Sequence, residues 1–202
     1  MALTVHKNRN YTLDNSLPLL LLIGGLIGFI ASFILTIETM EFLKNPSYTP
    51  SCNISPWLSC ASVMKTSQAS VFGFTNSLMG IAGFAVITTA GGALLAGARF
   101  KRWFWLVLQS GSLLGLVFVH WLFFESLYRI GALCPYCMVV WLVTLPIFWY
   151  ITLYNIKQGY LPVPSLLRGI FNFARQQHMG ILVLWFLIMI ALIVKRFWYY
   201  FS

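Results

Sequence analysis

An all-α fold that crosses a membrane several times is what this sequence predicts, and three observations carry that prediction. Of its 202 residues 59% are hydrophobic and only 8% are charged, too few charges to clothe a soluble surface. The apolar residues are gathered into runs long enough to span a bilayer, and no run contains a formal charge. Within hydrocarbon only helices or closed barrels satisfy every backbone polar group.

Five runs are near the roughly 20 residues that a crossing needs, the last being the shortest: Ser16 to Ile37, Asn76 to Ala98, Trp103 to Phe124, Tyr136 to Ile156 and Met179 to Val194. The first could be a cleaved secretory signal, since Lys7 and Arg9 precede it. It exceeds the roughly 7–15 residues of a signal-peptide core and reads as a retained helix. Residues 1–15 are then a polar cytoplasmic leader, in which Asp14 to Ser16 offer capping side chains ahead of Pro18 in the first helical turn. Gly24, Gly28 and Ser32 recur every four residues, a small-residue face for close helix packing.

Cytoplasmic segments carry an excess of Lys and Arg, which sets the orientation. With the N-terminus inside, that side holds Lys7, Arg9, Arg99, Lys101, Arg102, Lys157, Arg168 and Arg175, against Lys44, Lys65, Arg129, Lys195 and Arg196 outside. N-in and C-out is the better arrangement, although Lys195 and Arg196 count against it. The formal charge of +9 does not mark a nucleic-acid face, because the basic residues bracket helix ends where anionic headgroups lie.

The connectors differ in length. Residues 38–75 form an outer loop too long for a plain link. It holds Pro46, Pro50, Pro56 and two cysteines, and Trp57, Leu58, Val63, Met64, Val71 and Phe72 argue for a short helix or two over the bundle rather than a disordered loop. Residues 99–102 are a tight turn. Residues 126–133 lead directly to a cysteine, at or beside which the fourth membrane helix begins. Residues 157–178, with Pro162, Pro164, Arg168 and Arg175, read as an amphipathic cytoplasmic connector. Residues 179–202 are the fifth membrane helix and a short outer tail. With no repeat or low-complexity segment, the chain is one membrane domain.

The chemistry lies in four cysteines: Cys52 and Cys60, seven residues between them, and Cys134 and Cys137 in C-P-Y-C. The topology puts all four on the outer side, where disulfides persist and the pairs can exchange. A C-x-x-C at the first turn of a helix meets unpaired N–H groups and partial positive charge, which favour the attacking thiolate. Pro135 suits such a start. Two bridges that merely staple the loops are the alternative, but a bridge across C-x-x-C closes too small a loop to restrict the unfolded chain much. A zinc site is disfavoured because structural zinc pairs usually have two to four intervening residues. C-P-Y-C also occurs in thioredoxin-like proteins, whose soluble βαβ context is absent here.

The ordered set of motifs resembles the vitamin K epoxide reductase family, in its bacterial quinone-reducing branch. These are C-x7-C in the outer loop, F-G-F-T-N-S-L-M-G from Phe72 to Gly80, and C-P-Y-C opening the fourth helix, within roughly Pro18 to Tyr154. The resemblance implies a four-helix transmembrane bundle, residues 16–156, enclosing a quinone (ubiquinone or menaquinone) near the outer face, with a peripheral fifth transmembrane helix. It implies that Cys52 exchanges with a partner, Cys60 attacks Cys134, and Cys137 faces the quinone. Asn76 matches a residue that hydrogen-bonds a quinone carbonyl, and Trp141 stands one turn after Cys137 where some relatives have Tyr. The chain stops at Ser202, where many bacterial members continue into a thioredoxin-like domain. The expected partner is therefore a separate periplasmic thioredoxin-fold (DsbA-like) protein, and the expected location is the bacterial inner membrane. The activity expected is a disulfide-forming thiol:quinone oxidoreductase; the alternatives are vitamin K epoxide reduction proper or a non-enzymatic membrane protein with structural disulfides.

Other side chains have two readings each. Thr66 and Ser67 are active-site hydroxyls or loop polarity. His120 touches quinone, relays protons or bonds a neighbouring helix. Glu38, Glu41 and Glu125 pass protons or are solvated interface residues. Trp121, Phe123 and Phe124 wall a pocket or form an interfacial belt.

Overall fold

The computed structural model describes residues 8–45, 47–161, 169, 173–174 and 176–200, with side chains for those from Ser16 to Tyr199. Residues 1–7 of the expected leader and Pro162, Pro164, Arg168 and Arg175 of the expected connector lie outside the described residues.

Among the described residues five helices are long and apolar enough to cross a membrane. In chain order the described α-helices are α1 (Asn8–Lys44), the short α2 (Cys60–Met64), α3 (Asn76–Leu95), α4 (Arg102–Glu125), α5 (Pro135–Lys157) and α6 (His178–Phe197). Among the described residues there is no strand, only two isolated bridges. The expected all-α membrane fold is therefore what the chain adopts.

The first helix departs from expectation at its start. It begins at Asn8 rather than Ser16, so Pro18 lies inside the helix instead of in its first turn. A single missing N–H in a helix this long removes one bond to the carbonyl four residues back, and the helix continues through it. The expected starts of α3 at Asn76 and of α5 beside Cys134 hold.

Helix α1 packs on α3 and α5, and α5 packs on α4. The seam between α1 and α3 is close because glycines sit where the helices cross. A Cβ on Gly28 would lie 2.5 Å from the Phe84 ring, and one on Gly91 would run into the Leu22 backbone. The expected small face is thus shared: Gly24 meets Ile147 of α5, while Gly28 and Ser32 meet Phe84 and Gly80 of α3. Between α4 and α5 the contact is partly polar, with Gln109 donating to Thr152 and Asn155 donating to Gln109.

Helix α6 lies outside this group and is held at separate points. Near its start the Tyr150 hydroxyl is 3.3 Å from His178 Nδ1. In its middle Trp185 Nε1 donates to His120 Nε2, whose other ring nitrogen is 2.8 Å from the Leu116 carbonyl. His120 thus bonds a neighbouring helix, the plainer of its two readings. At the far end Arg196 donates to the Leu127 carbonyl, and Phe197 packs on Trp57 with centroids 5.6 Å apart. Arg196, which counted against the orientation, is employed in capping a carbonyl beside the cysteine loops.

Candidate redox site

The sequence brings Cys134 to the end of the bundle by a controlled stop. After α4 the chain makes one wide helical turn, Ser126–Ile130, and Gly131 ends it at φ 70°, a left-handed conformation that glycine adopts without a Cβ penalty. Three residues later Cys134 caps α5 with extended backbone, and Pro135 opens the helix.

The long loop between α1 and α3 reaches the same place. Leu133 N–H donates to the Trp57 carbonyl at 2.8 Å, and Ser59 N–H donates to the Leu133 carbonyl at 2.9 Å, a parallel bridge. Cys134 follows Leu133 directly and Cys60 comes two residues after Leu58, so the bridge sets the two cysteines side by side. Cys60 opens α2, for which Ser59 is the cap: its hydroxyl accepts from Ser62 N–H. Asn53, next to Cys52, accepts from both the Ser59 hydroxyl and Ala61 N–H. One amide oxygen thus ties the first half of the loop to the start of α2.

All four cysteines come together. Cys52 and Cys60 form a disulfide with Cα atoms 5.6 Å apart, and Cys134 and Cys137 are free thiols. Cys60 Sγ lies 3.2 Å from Cys134 Sγ. Since Cys60 carries no proton in the disulfide, Cys134 is the donor in that contact. Cys52, Cys60 and Cys134 are 5%, 0% and 1% exposed, whereas Cys137 is half-buried and packs between this cluster and the apolar group that holds Trp141. The Cys137 thiol beside Cys134 holds its pKa below the ordinary thiol value, with the Cys137 and Tyr136 amides adding to the effect and burial opposing it.

The remaining expected residues fall as follows. Asn76 donates to the Gln68 carbonyl at 2.7 Å and accepts from Val71 N–H at 3.2 Å, pinning the short 3-10 turn Ser67–Ser70 to the start of α3. Trp141 is buried and meets Phe123 edge to face at 4.9 Å. Thr66 donates to the Val63 carbonyl, closing α2, and Ser67 bonds its neighbour Gln68. Phe123 is in the core, while Trp121 and Phe124 are exposed.

Two of the three carboxylates are not solvated. Glu41 is, and pairs with exposed Lys44. Glu125 is 3% exposed, within 3.6 Å of Arg129 and accepting from Gln68. Glu38 is 8% exposed and accepts from the Tyr48 hydroxyl, Ser51 N–H and the Ser51 hydroxyl. Its hydrogen bond, with burial and the charges of Glu38 and Glu41 in support, raises the Tyr48 pKa. Glutamates at a helix end read as interfacial from sequence; only the folded loop shows donors converging on Glu38. Asn53 was not foreseen at all, its sole signal being an amide beside Cys52.

A disulfide touching a free thiol of a second pair is an arrangement for thiol exchange, because attack requires the incoming sulfur to contact the sulfur it displaces. The model of the vitamin K epoxide reductase family matches residues 19–152, which take in all four cysteines. A comparison with curated proteins finds no match. On this match and this geometry the chain belongs to the vitamin K epoxide reductase family and is a membrane thiol–disulfide oxidoreductase.

Proposed function

We propose that the protein is a thiol:quinone oxidoreductase: it reoxidises a separate thioredoxin-fold, DsbA-like disulfide-forming protein on the periplasmic side of a bacterial inner membrane and reduces a membrane quinone, ubiquinone or menaquinone. The observation that carries this reading is the 3.2 Å contact between Cys60 Sγ and Cys134 Sγ.

In this route a partner thiolate attacks Cys52, breaks the Cys52–Cys60 bond and releases the Cys60 thiolate. The partner's second thiolate then attacks its own sulfur of the mixed disulfide and releases Cys52, so two electrons have entered the loop pair. Cys60 attacks Cys134 of an oxidised Cys134–Cys137 pair and releases the Cys137 thiolate. Cys52 then attacks Cys60, restoring the loop disulfide and releasing Cys134. The product is a loop disulfide with free Cys134 and Cys137, the combination of bonds that the structure holds.

The residues at this end suit a quinone. Cys137 is the more accessible of its pair, and Asn76 uses one amide hydrogen and one lone pair on the loop, leaving one amide hydrogen to donate to a carbonyl oxygen. Trp141 would stand behind Cys137 as an apolar wall. A bound quinone would supply the acceptor for two electrons and two protons. The bundle 16–156, with its outer loop 38–75, holds every residue this route uses, and α6 is peripheral to it.

The test is quinone-dependent oxidation of a reduced thioredoxin-fold dithiol by purified protein. Wild type turns over and Cys137→Ala does not; turnover surviving in Cys137→Ala would overturn the electron route.

A further inference from the structure

We infer that Glu38 is a positioning residue that holds the two cysteine pairs in register for exchange between them. This rests on the proposed route only in that the pairs exchange.

Glu38 stands at the outer end of α1, one element away from both pairs, yet it is bonded toward each. On one side Ser51, adjacent to Cys52, gives it both a backbone N–H at 3.3 Å and a hydroxyl at 2.5 Å. On the other, Tyr136, between Cys134 and Cys137, has its hydroxyl 3.3 Å from Ser51 Oγ. Because the Ser51 proton is directed at Glu38, Tyr136 is the donor in that second contact. Tyr48 adds a third donor to the carboxylate at 3.0 Å. A chain of bonds therefore runs from the C-P-Y-C tyrosine through Ser51 to Glu38, parallel to the Leu58–Leu133 bridge on the loop's other limb.

The chemistry of the acceptor matters. Every group facing Glu38 is a donor, and among the described residues no cation pairs with it. A carboxylate accepts at both oxygens; a glutamine of the same shape turns an N–H₂ toward one of those donors and leaves it unpaired. Without the acceptor, residues 48–51 lose their attachment to α1, and Cys52 with its bonded Cys60 is free to drift from Cys134.

The test uses a Cys52→Ala/Cys137→Ala background, in which the remaining thiols are Cys60 and Cys134. Mild oxidation of this pair forms one sulfur–sulfur bond, the two electrons and two protons passing to added oxidised glutathione. Its rate reports proximity and needs neither quinone nor partner. Glu38→Gln should slow this bond about tenfold, the scale of one hydrogen bond to a charged group. Oxidation of Cys134–Cys137 in a Cys52→Ala/Cys60→Ala background should be unchanged. An unaltered Cys60–Cys134 rate, or an equal fall in both rates, would overturn the assignment. Should Glu38→Gln lower the thermal midpoint, Ser51→Ala replaces it, removing the link while Glu38 Oε2 keeps the Tyr48 hydroxyl and the backbone N–H of residue 51: a selective fall supports the proposal and none refutes it. Failure of quinone reduction with the bond still sensitive to Glu38 would count against the proposed function alone.

Discussion

The two cysteine pairs touch, but different physics holds each. Cys134 and Cys137 are fixed by a helix start: Gly131 stops one helix, Cys134 caps the next, and Pro135 sets its first turn. Cys52 and Cys60 belong to a loop whose regular structure is one short helix, a 3-10 turn and the Leu58–Leu133 bridge, and which is otherwise held by polar side chains that reach across it, Asn53 to α2 and Ser51 to Glu38. The helix-borne pair is positioned by backbone geometry that single side-chain changes scarcely disturb. The loop-borne pair depends on a few individual bonds, which makes it the more adjustable of the two.

That contrast can be broken most severely at the shared contact. Cys60→Ala or Cys134→Ala should reduce turnover to background with the helices intact by circular dichroism, and residual relay in either would mean that the pairs communicate elsewhere. Next in size, Asn53→Ala removes the acceptor for two donors, a loss of about 1–3 kcal/mol at the loop. It should speed reduction of the Cys52–Cys60 disulfide by a small thiol while alkylation of Cys134 stays as in wild type.

The helix-borne pair should show its own signature in pH. The pKa of Cys134 is lowered first by the Cys137 thiol, so its thiolate persists to lower pH than an ordinary cysteine's and is lost as pH falls through that lowered value. Alkylation of Cys134 by iodoacetamide should follow this curve, and Cys137→Ala should move its midpoint upward. A midpoint moving down, or not at all, would assign the effect to the helix end alone. The smallest effect belongs to His120→Leu, which removes the bond to Trp185 at about 0.6 kcal/mol, typical of such bonds between membrane helices. It should lower the thermal midpoint slightly and leave both pairs' chemistry unchanged.

The same contrast explains what could be read in advance. Membrane helices and the start of α5 were legible because their signals are local: apolar runs, a small-residue repeat, and proline after cysteine. The start of α1 was misplaced because a polar leader does not reveal that it continues an adjoining helix. The loop's attachments were not legible, since Asn53, Glu38 and Ser51 find partners set by the fold rather than by spacing. Glu38 and Glu125 read as solvated for that reason. Asn76 was singled out through the resemblance, yet its bonds to Gln68 and Val71 are a loop anchor that no motif announces.

The bridge that aligns Leu58 with Leu133 also bears on how the chain matures. Cys52 and Cys60 are 8 positions apart, and Cys60 and Cys134 are 74 apart. Closing the longer span costs roughly 2 kcal/mol more chain entropy on logarithmic scaling. During synthesis the near neighbours emerge first and meet easily, before the segment bearing C-P-Y-C has left the ribosome. Chain entropy therefore favours the local bond over one between Cys60 and Cys134.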